Sequence, residues 1–469
     1  MRRSLAVLPV LLLLPVLAAP LCAQAPEPAP APDFSELERT VLDEMSATST
    51  PGAAVAVIQG ERVVFARGFG VASLETNEPV TPDTLFRIGS VTKMLTATAL
   101  LTLVRQERLN LDDPLSKKDK RLDPKLGRLT LDQLLSQTSG LRDFPVGNSQ
   151  DHGDEALDHF VEWLGTQDSA LVPPGTAFSY SNSNYAVAGS LLTRATGKHY
   201  ADAMDEILFK PLGMTRTTLR PTMAMTYPLA VGHAVVERVG LAVVRPLADD
   251  SRLWPAGYAF SSVNDLSRFI RAVLNGGWLE GRQALRSGVT EMLLSPHVPI
   301  PTNIFRNGAY GYGFFLQDDR GLRRAEDAGE LPGYGAEVRM FPERRVAVIV
   351  LTNHQGRLQK TFDKAFDLVL GPKPKEEAPS RLQPIRMTDE EMASYAGTYV
   401  NRESIELFVE KGNLFLSRGD STSVVNRIGE HRFRVRLRGL PQPQEFLIVP
   451  EAEGRPAYLQ MVLWVYRKE

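Results

Sequence analysis

"FRIGSVTK", residues 86–93, sets a serine and a lysine three positions apart where an apolar helical pattern begins. On a helix that spacing brings Ser90 and Lys93 onto one face, with β-carbons roughly 5 to 6 Å apart, so the amine reaches the hydroxyl. The helix N-terminus carries partial positive charge and unpaired N–H groups, which favour an anion at Ser90 and disfavour a protonated Lys93. Burial would depress the lysine further, and a neutral amine beside a hydroxyl is a general base beside a nucleophile. The same pair fits a second description, in which Ser90 caps the helix and Lys93 is a solvated surface residue. A chain of 469 residues holds about one Ser-x-x-Lys by chance, so the pair alone does not choose between them.

Three further segments supply context: "LTLDQLLSQTSGL" at 129–141, "FSYSNSNYAVAG" at 178–189 and "PAGYAFSSVNDLSRFIRAVLNGG" at 255–277. With FRIGSVTK, in this order and spacing, they resemble the serine β-lactamase and penicillin-binding-protein-like hydrolases, most nearly the class C β-lactamase, D-aminopeptidase and esterase branch. The resemblance covers residues 34–370. It implies an α/β (α+β) fold, an antiparallel sheet flanked by helices beside a mostly helical subdomain, and a serine hydrolase working through an acyl-enzyme. Position by position, Ser90 resembles the acylated nucleophile, Lys93 its activating base, and Tyr180 a second acid/base whose phenol would need positive charge nearby to lower its pKa. Asn182 resembles the amide that bonds Lys93 and the substrate carbonyl, whereas taken alone it reads as a turn asparagine.

The family's third motif is Lys-Thr-Gly or His-x-Gly on a strand before a Pro-Gly turn. The matching stretch here is "EDAGELPGYGAEVRMFP" at 326–342, with Asp327-Ala328-Gly329 in those three places. Asp327 departs from the pattern. At a substrate-binding position it would repel an anionic substrate and raise the Tyr180 phenol, and Glu326 and Glu330 would add to the acidity. Penicillins and D-Ala-D-Ala termini are therefore disfavoured, while neutral esters, or amines that could pair with Asp327, are permitted. By resemblance the oxyanion hole comes from the backbone N–H groups of Ser90 and Glu330, which a side-chain change leaves in place. Asn182, Asp327, Gly329 and Glu330 form the expected substrate-binding set. Three functions stay open: a hydrolase of esters, amides or peptides; a catalytically silent binding protein that keeps the fold; and a true class C-like β-lactamase.

Around these residues the pattern predicts a helix over Phe34–Met45, a hairpin turning at Gln59-Gly60, a helix over Phe86–Arg105 and a mainly helical stretch from Asp112 to Leu219. It further predicts a helix with a Ser262/Asp265 capping box that ends at Gly276-Gly277, a hairpin around Pro342-Glu343 and a helix over Leu358–Leu370. "GPKPKEEAPS" (371–380) reads as a linker, and the alternating runs "SIELFVE", "NLFLS", "HRFRVRL", "EFLIV" and "LQMVLWV" beyond it as a small all-β, barrel-like domain over 381–469 without a catalytic constellation. Trp254, Tyr310, Tyr312 and Phe314 could line an acyl pocket or pack the core, and His233 could fill the cleft wall.

The N-terminus reads as an export signal: Arg2 and Arg3, an apolar run from Leu5 to Leu17, and Ala23-Gln24-Ala25 for cleavage. Residues 1–25 would be removed, 26–33 form a Pro/Ala spacer, and the mature chain is expected to be periplasmic or secreted with no membrane span. Cys22, the only cysteine, lies in that signal and is alternatively a lipidation site. A net charge of -2 with interleaved signs gives no footprint for nucleic acid. None of the seven histidines forms a His-Glu-x-x-His pair, and His152 and His159 read as solvated, so neither metal nor cofactor is expected. The expected partner is a small-molecule or peptide substrate, with oligomeric state left open.

Overall fold

Two strands from the start of the chain complete a sheet whose other six come from residues beyond 297. The computed structural model describes residues 33–144, 152–300, 302–375, 383–440, 442–451 and 455–469, so the expected signal, Cys22, residues 26–32 of the first linker and 376–380 of the second lie outside the described residues. The strands are β1 (Gly52–Gln59), β2 (Arg62–Gly70), β3 (Val298–Pro299), β4 (Ala309–Tyr310), β5 (Phe315–Asp319), β6 (Leu322–Leu331), β7 (Tyr334–Phe341) and β8 (Val346–Thr352). They lie in the order β2-β1-β8-β7-β6-β5-β4-β3, with antiparallel pairing throughout.

Both faces of the sheet are covered, which the unbroken apolar runs of β1 and β8 require. Ala53, Val55 and Val57 with Val346, Val348 and Val350 face one core, shared with α1 (Ser35–Ala47) and α7 (Gln359–Leu370). The alternate residues Ala54, Ala56 and Ile58 with Ala347, Ile349 and Leu351 face a larger one. There they meet α2 (Thr92–Arg105), and α3 (Leu131–Leu135), α4 (Ala156–Thr166), α5 (Asn182–Thr196) and α6 (Val263–Leu274) belong to the same core. The Gln59-Gly60 and Pro342-Glu343 hairpins form as expected, and the chain between 112 and 219 is mostly helical among its described residues.

The expected helix over Phe86–Arg105 is shorter. Phe86-Arg87 instead pairs antiparallel with Phe260-Ser261, Gly89 takes φ +50°, and a 3-10 turn at Gly89–Val91 leads into α2. The capping box on α6 is half made. Ser262 accepts the Asp265 N–H at 3.1 Å, but the Asp265 carboxylate turns away to the Arg216 and Thr217 N–H groups and the Thr217 hydroxyl.

The C-terminal strands close into an eight-stranded barrel: β9 (Gly397–Val400), β10 (Ser404–Glu410), β11 (Asn413–Arg418), β12 (Ser421–Gly429), β13 (Arg432–Val435), β14 (Gln444–Pro450), β15 (Pro456–Met461) and β16 (Trp464–Lys468), entered through α8 (Asp389–Tyr395). "LQMVLWV", read as one strand, is two. The chain reverses at Val462-Leu463, with Val462 at φ +55°, where no glycine or asparagine marks a turn. Ala457, Tyr458 and Val465 of the barrel pack on Leu171 and Val172, and residues 34–469 form one compact unit.

Glu44 of α1 shows how distant segments lock together: its buried carboxylate accepts the Lys360 and Thr361 N–H groups (2.8 and 2.7 Å) and the Thr361 hydroxyl (2.8 Å), capping α7. Glu44→Ala strands those donors, and we expect a loss of about 2–3 kcal/mol in unfolding free energy, read as a lower urea midpoint at unchanged slope.

Candidate active site

The 3-10 turn at Gly89–Val91 presents the Ser90 side chain, which caps neither the turn nor α2. One turn on, Lys93 is 0% exposed. Its Nζ donates to the Ala256 carbonyl (2.6 Å), Asn182 Oδ1 (2.8 Å) and Ser90 Oγ (3.2 Å). Burial pushes the ammonium down to about 8, against the opposing pull of the Asp327 and Asp143 carboxylates. With its proton lost, Lys93 keeps two N–H groups for Ala256 and Asn182 and turns a lone pair to Ser90 Oγ, which is the arrangement of a general base.

The Tyr180 ring centroid lies 4.7 Å from Lys93 Nζ, and its hydroxyl feels the Ser90 side chain. The expected lowering of its pKa does not occur. Burial pushes the phenol well above its ordinary value and Asp327 adds to this, with only the influence of Ser90 opposing. Tyr180 therefore stays protonated, a donor rather than a standing base. Asn182 opens α5; its N–H donates to Asp143 Oδ1 (2.9 Å) while its amide oxygen holds Lys93. Gln137 Oε1 accepts from the Ser181 N–H (2.9 Å) and Asn184 Nδ2 (2.6 Å), so the end of the 129–141 segment cradles the one carrying Tyr180 and Asn182.

Strand β6 brings the third motif against the nucleophile. A β-carbon on Gly329 would lie 2.1 Å from the Ile88 oxygen and 2.5 Å from the Ser90 nitrogen, and one on Gly89 would lie 2.6 Å from the Glu330 nitrogen. Two facing glycines thus let the strand touch the serine turn and bring the Ser90 and Glu330 nitrogens against the same contact, where an oxyanion hole would form. Gly329 serves this close approach rather than contact with substrate, since it does not line the cavity above Ser90.

Asp327 also sits elsewhere than expected. It is 1% exposed and absent from the cavity wall, so it meets no substrate charge directly. Its Oδ1 accepts the Ala328 N–H at 3.0 Å, its Oδ2 has no hydrogen-bond partner among the described residues, and burial holds the carboxyl well above the usual range against the pull of Lys93. The side chain lies behind the site, where its charge bears on Lys93 and Tyr180.

The cavity above Ser90 has a volume of about 530 Å³, and its wall includes Asn182 and Glu330 with apolar Val244, Leu247, Leu253 and Leu331. Its charged members are already paired: Arg245 with Glu75, Asp249 with Arg87, Glu330 with Arg357. Arg87, fully buried, also donates to the Tyr258 and Ala248 carbonyls and so fixes the cavity wall. Tyr310, Tyr312, Phe314 and Trp254 are buried and do not line the cavity, so their packing role holds. His233 is structural as well, bonded to the Asn353 carbonyl and accepting the Leu74 N–H. Among the described residues no group of three or more His, Cys, Asp or Glu could hold a metal, and no helix is long and apolar enough to cross a membrane. Asp143 and the Ala256 carbonyl escaped the sequence reading. Ala256 lies inside the quoted PAGYAF segment, but a backbone acceptor leaves no mark in side-chain types, and Asp143 follows the 129–141 segment in a loop without periodicity.

The layering of helices on both faces of this sheet, with the serine turn pressed against β6, is that of the β-lactamase and transpeptidase fold. The chain belongs to the Beta-lactamase family, whose model matches residues 37–370. Protein flp of Staphylococcus aureus (strain N315) is 24% identical over 68% of this chain and 62% of its own length, and the unguisins hydrolase ungD' of Aspergillus campestris is 28% identical over 68% and 61%. The chain thus spans about 62% of the length of the first of these relatives. Among solved structures, SurE superposes with a TM-score of 0.76 at 26% identity, covering 92% of this chain and 98% of that one. A D-alanine carboxypeptidase AmpC from Burkholderia cenocepacia shares the fold at a TM-score of 0.59, with 24% identity over 72% of this chain and 99% of that one.

Two outcomes follow. Labelling of Ser90 by a fluorophosphonate should accelerate as pH rises through about 8, because the reactive form has lost the Lys93 proton, and Lys93→Met should abolish that titration. Gly329→Ala should cut the labelling rate at least about 10²-fold, because the β-carbon drives β6 off the serine turn.

Proposed function

We propose that this protein is a serine hydrolase that forms an acyl-enzyme on Ser90 and takes neutral, apolar acyl esters or amides. The observation that carries this is the buried Lys93 amine, held by two oxygens with its third direction on Ser90 Oγ at 3.2 Å. In the reaction, Ser90 Oγ bonds to the acyl carbon as its proton passes to Lys93. The carbonyl oxygen becomes an oxyanion beside the Ser90 and Glu330 N–H groups. Collapse breaks the bond to the leaving group, which takes the Tyr180 phenol proton, and Lys93 returns a proton to Tyr180. Water then attacks the ester on Ser90 by the same route, releasing the acid.

The apolar wall and the pre-paired charges of the cavity support neutral acyl groups, since no cation on that wall waits for a substrate carboxylate. A solved complex of SurE contains D-Leu, which suits an apolar acyl residue and makes N-acetyl-D-leucyl esters worth including. We further propose that the chain is exported with residues 1–25 removed. Its test is the N-terminal sequence of the protein recovered outside the cytoplasm, and a retained Met1 there would overturn it.

Purified protein should carry a fluorophosphonate on Ser90 and hydrolyse p-nitrophenyl butyrate and an N-acetyl-D-leucyl ester faster than nitrocefin, and Ser90→Ala should remove at least about 10³-fold of the ester activity. Absence of label on the wild type, or equal label on Ser90→Ala, sinks the proposal. Faster nitrocefin turnover would replace it with a β-lactamase.

A further inference from the structure

The barrel reaches the reacting groups. Arg402, between β9 and β10, places its Nη1 3.2 Å from Asp143 Oδ2, and its guanidinium lies 5.7 Å from the Trp464 ring centroid. The other oxygen of Asp143 accepts the Asn182 N–H, and Asn182 in turn holds Lys93. On the same side the Leu463 carbonyl accepts the Tyr180 N–H at 2.7 Å, the Val465 N–H donates to Ser179 Oγ at 3.3 Å, and Gln460 Nε2 donates to the Phe178 carbonyl at 3.1 Å. Tyr180, one of the three expected catalytic side chains, and Asn182, an expected substrate-binding residue, are therefore mounted between the body and the barrel.

The two ends of the Arg402–Asp143 pair differ sharply in environment. The Arg402 side chain is 43% exposed, and for such a cation an ion pair adds little to stability. Asp143 is buried, and a buried carboxylate without a cation is expensive to keep charged and in place. The charged groups bearing on it are Arg402 and Lys93, together with the Asn182 N–H. Lys93 must shed its proton during the reaction, whereas Arg402 keeps its charge throughout.

We propose that Arg402 is a positioning residue for acyl transfer: it holds the Asp143 carboxylate, which sets Asn182 and through it the Lys93 amine, so the barrel is a working part of the active site. The inference rests on the acyl-transfer reading. The consequence is a rate effect, because a displaced Asn182 leaves the cavity intact but misaims the base.

The test is p-nitrophenyl butyrate turnover by Arg402→Gln, Arg402→Lys and Asp143→Asn beside wild type. Arg402→Gln should lower kcat about tenfold or more with KM within about twofold. Arg402→Lys, or guanidinium ion added to Arg402→Gln, should restore much of the loss. In the Asp143→Asn background Arg402→Gln should cost nothing further, a non-additivity that remains readable if the single variants are destabilised. An Arg402→Gln enzyme with wild-type kcat, or additive losses with no rescue, overturns the role of Arg402 alone. A wild type that neither labels on Ser90 nor turns over ester overturns the acyl-transfer reading instead.

Discussion

Taking the Lys93 ammonium out of water costs several kcal/mol unless other groups replace the solvent. The fold does so with three oxygens supplied from three places: the serine turn, the head of α5 and the carbonyl of Ala256. Two carboxylates flank the amine without touching it closely enough to restore an ordinary lysine. Most of the surrounding architecture answers to this one group. The strand and turn before α2, the Gln137 cradle and the facing glycines of β6 and the serine turn each fix one of its neighbours to within hydrogen-bonding tolerance. A lysine left half-solvated at this position would keep its proton and hold no lone pair toward Ser90.

Much of this could be read from residue types. The Ser90–Lys93 pairing was legible in the helical spacing after FRIGSVTK, whereas Tyr180 and Asn182 were placed by the resemblance of four ordered segments to a known family. The hairpins at Gln59-Gly60 and Pro342-Glu343 were visible as paired β-rich runs, whereas the sheet flanked by helices came with the family resemblance. Tertiary pairing overrode pattern elsewhere. Phe86-Arg87 looks helical beside its neighbours but is drawn into a two-residue pairing with Phe260-Ser261, and nothing local reports such a partner. The reversal at Val462-Leu463 was hidden for the opposite reason: two apolar residues make a tight turn where the chemistry of turns predicts glycine or asparagine.

Asp327 illustrates how a correct position can carry a wrong inference. Its place in the third motif was legible, but whether a side chain on a strand faces solvent or core depends on register and on what covers the sheet. Because it faces inward, its influence is on proton affinities behind the site rather than on substrate charge in front of it, and the charge preference of the cavity must come from other residues. Arg245, Asp249 and Glu330 fill that role, each already neutralised by a partner.

The contact between Phe178 and Gln460 spans 282 residues of chain, and it sits beside the Leu463–Tyr180 bond. Closing a contact of such long range costs loop entropy before the contact can stabilise the chain. During synthesis the serine, the lysine and the tyrosine would all be present long before the turn that seats Tyr180. A chain caught at that stage could have its large sheet assembled and still lack chemistry. On the proposed acyl-transfer reading, competence to acylate would then be tied to the seating of Tyr180 by the last strands of the barrel.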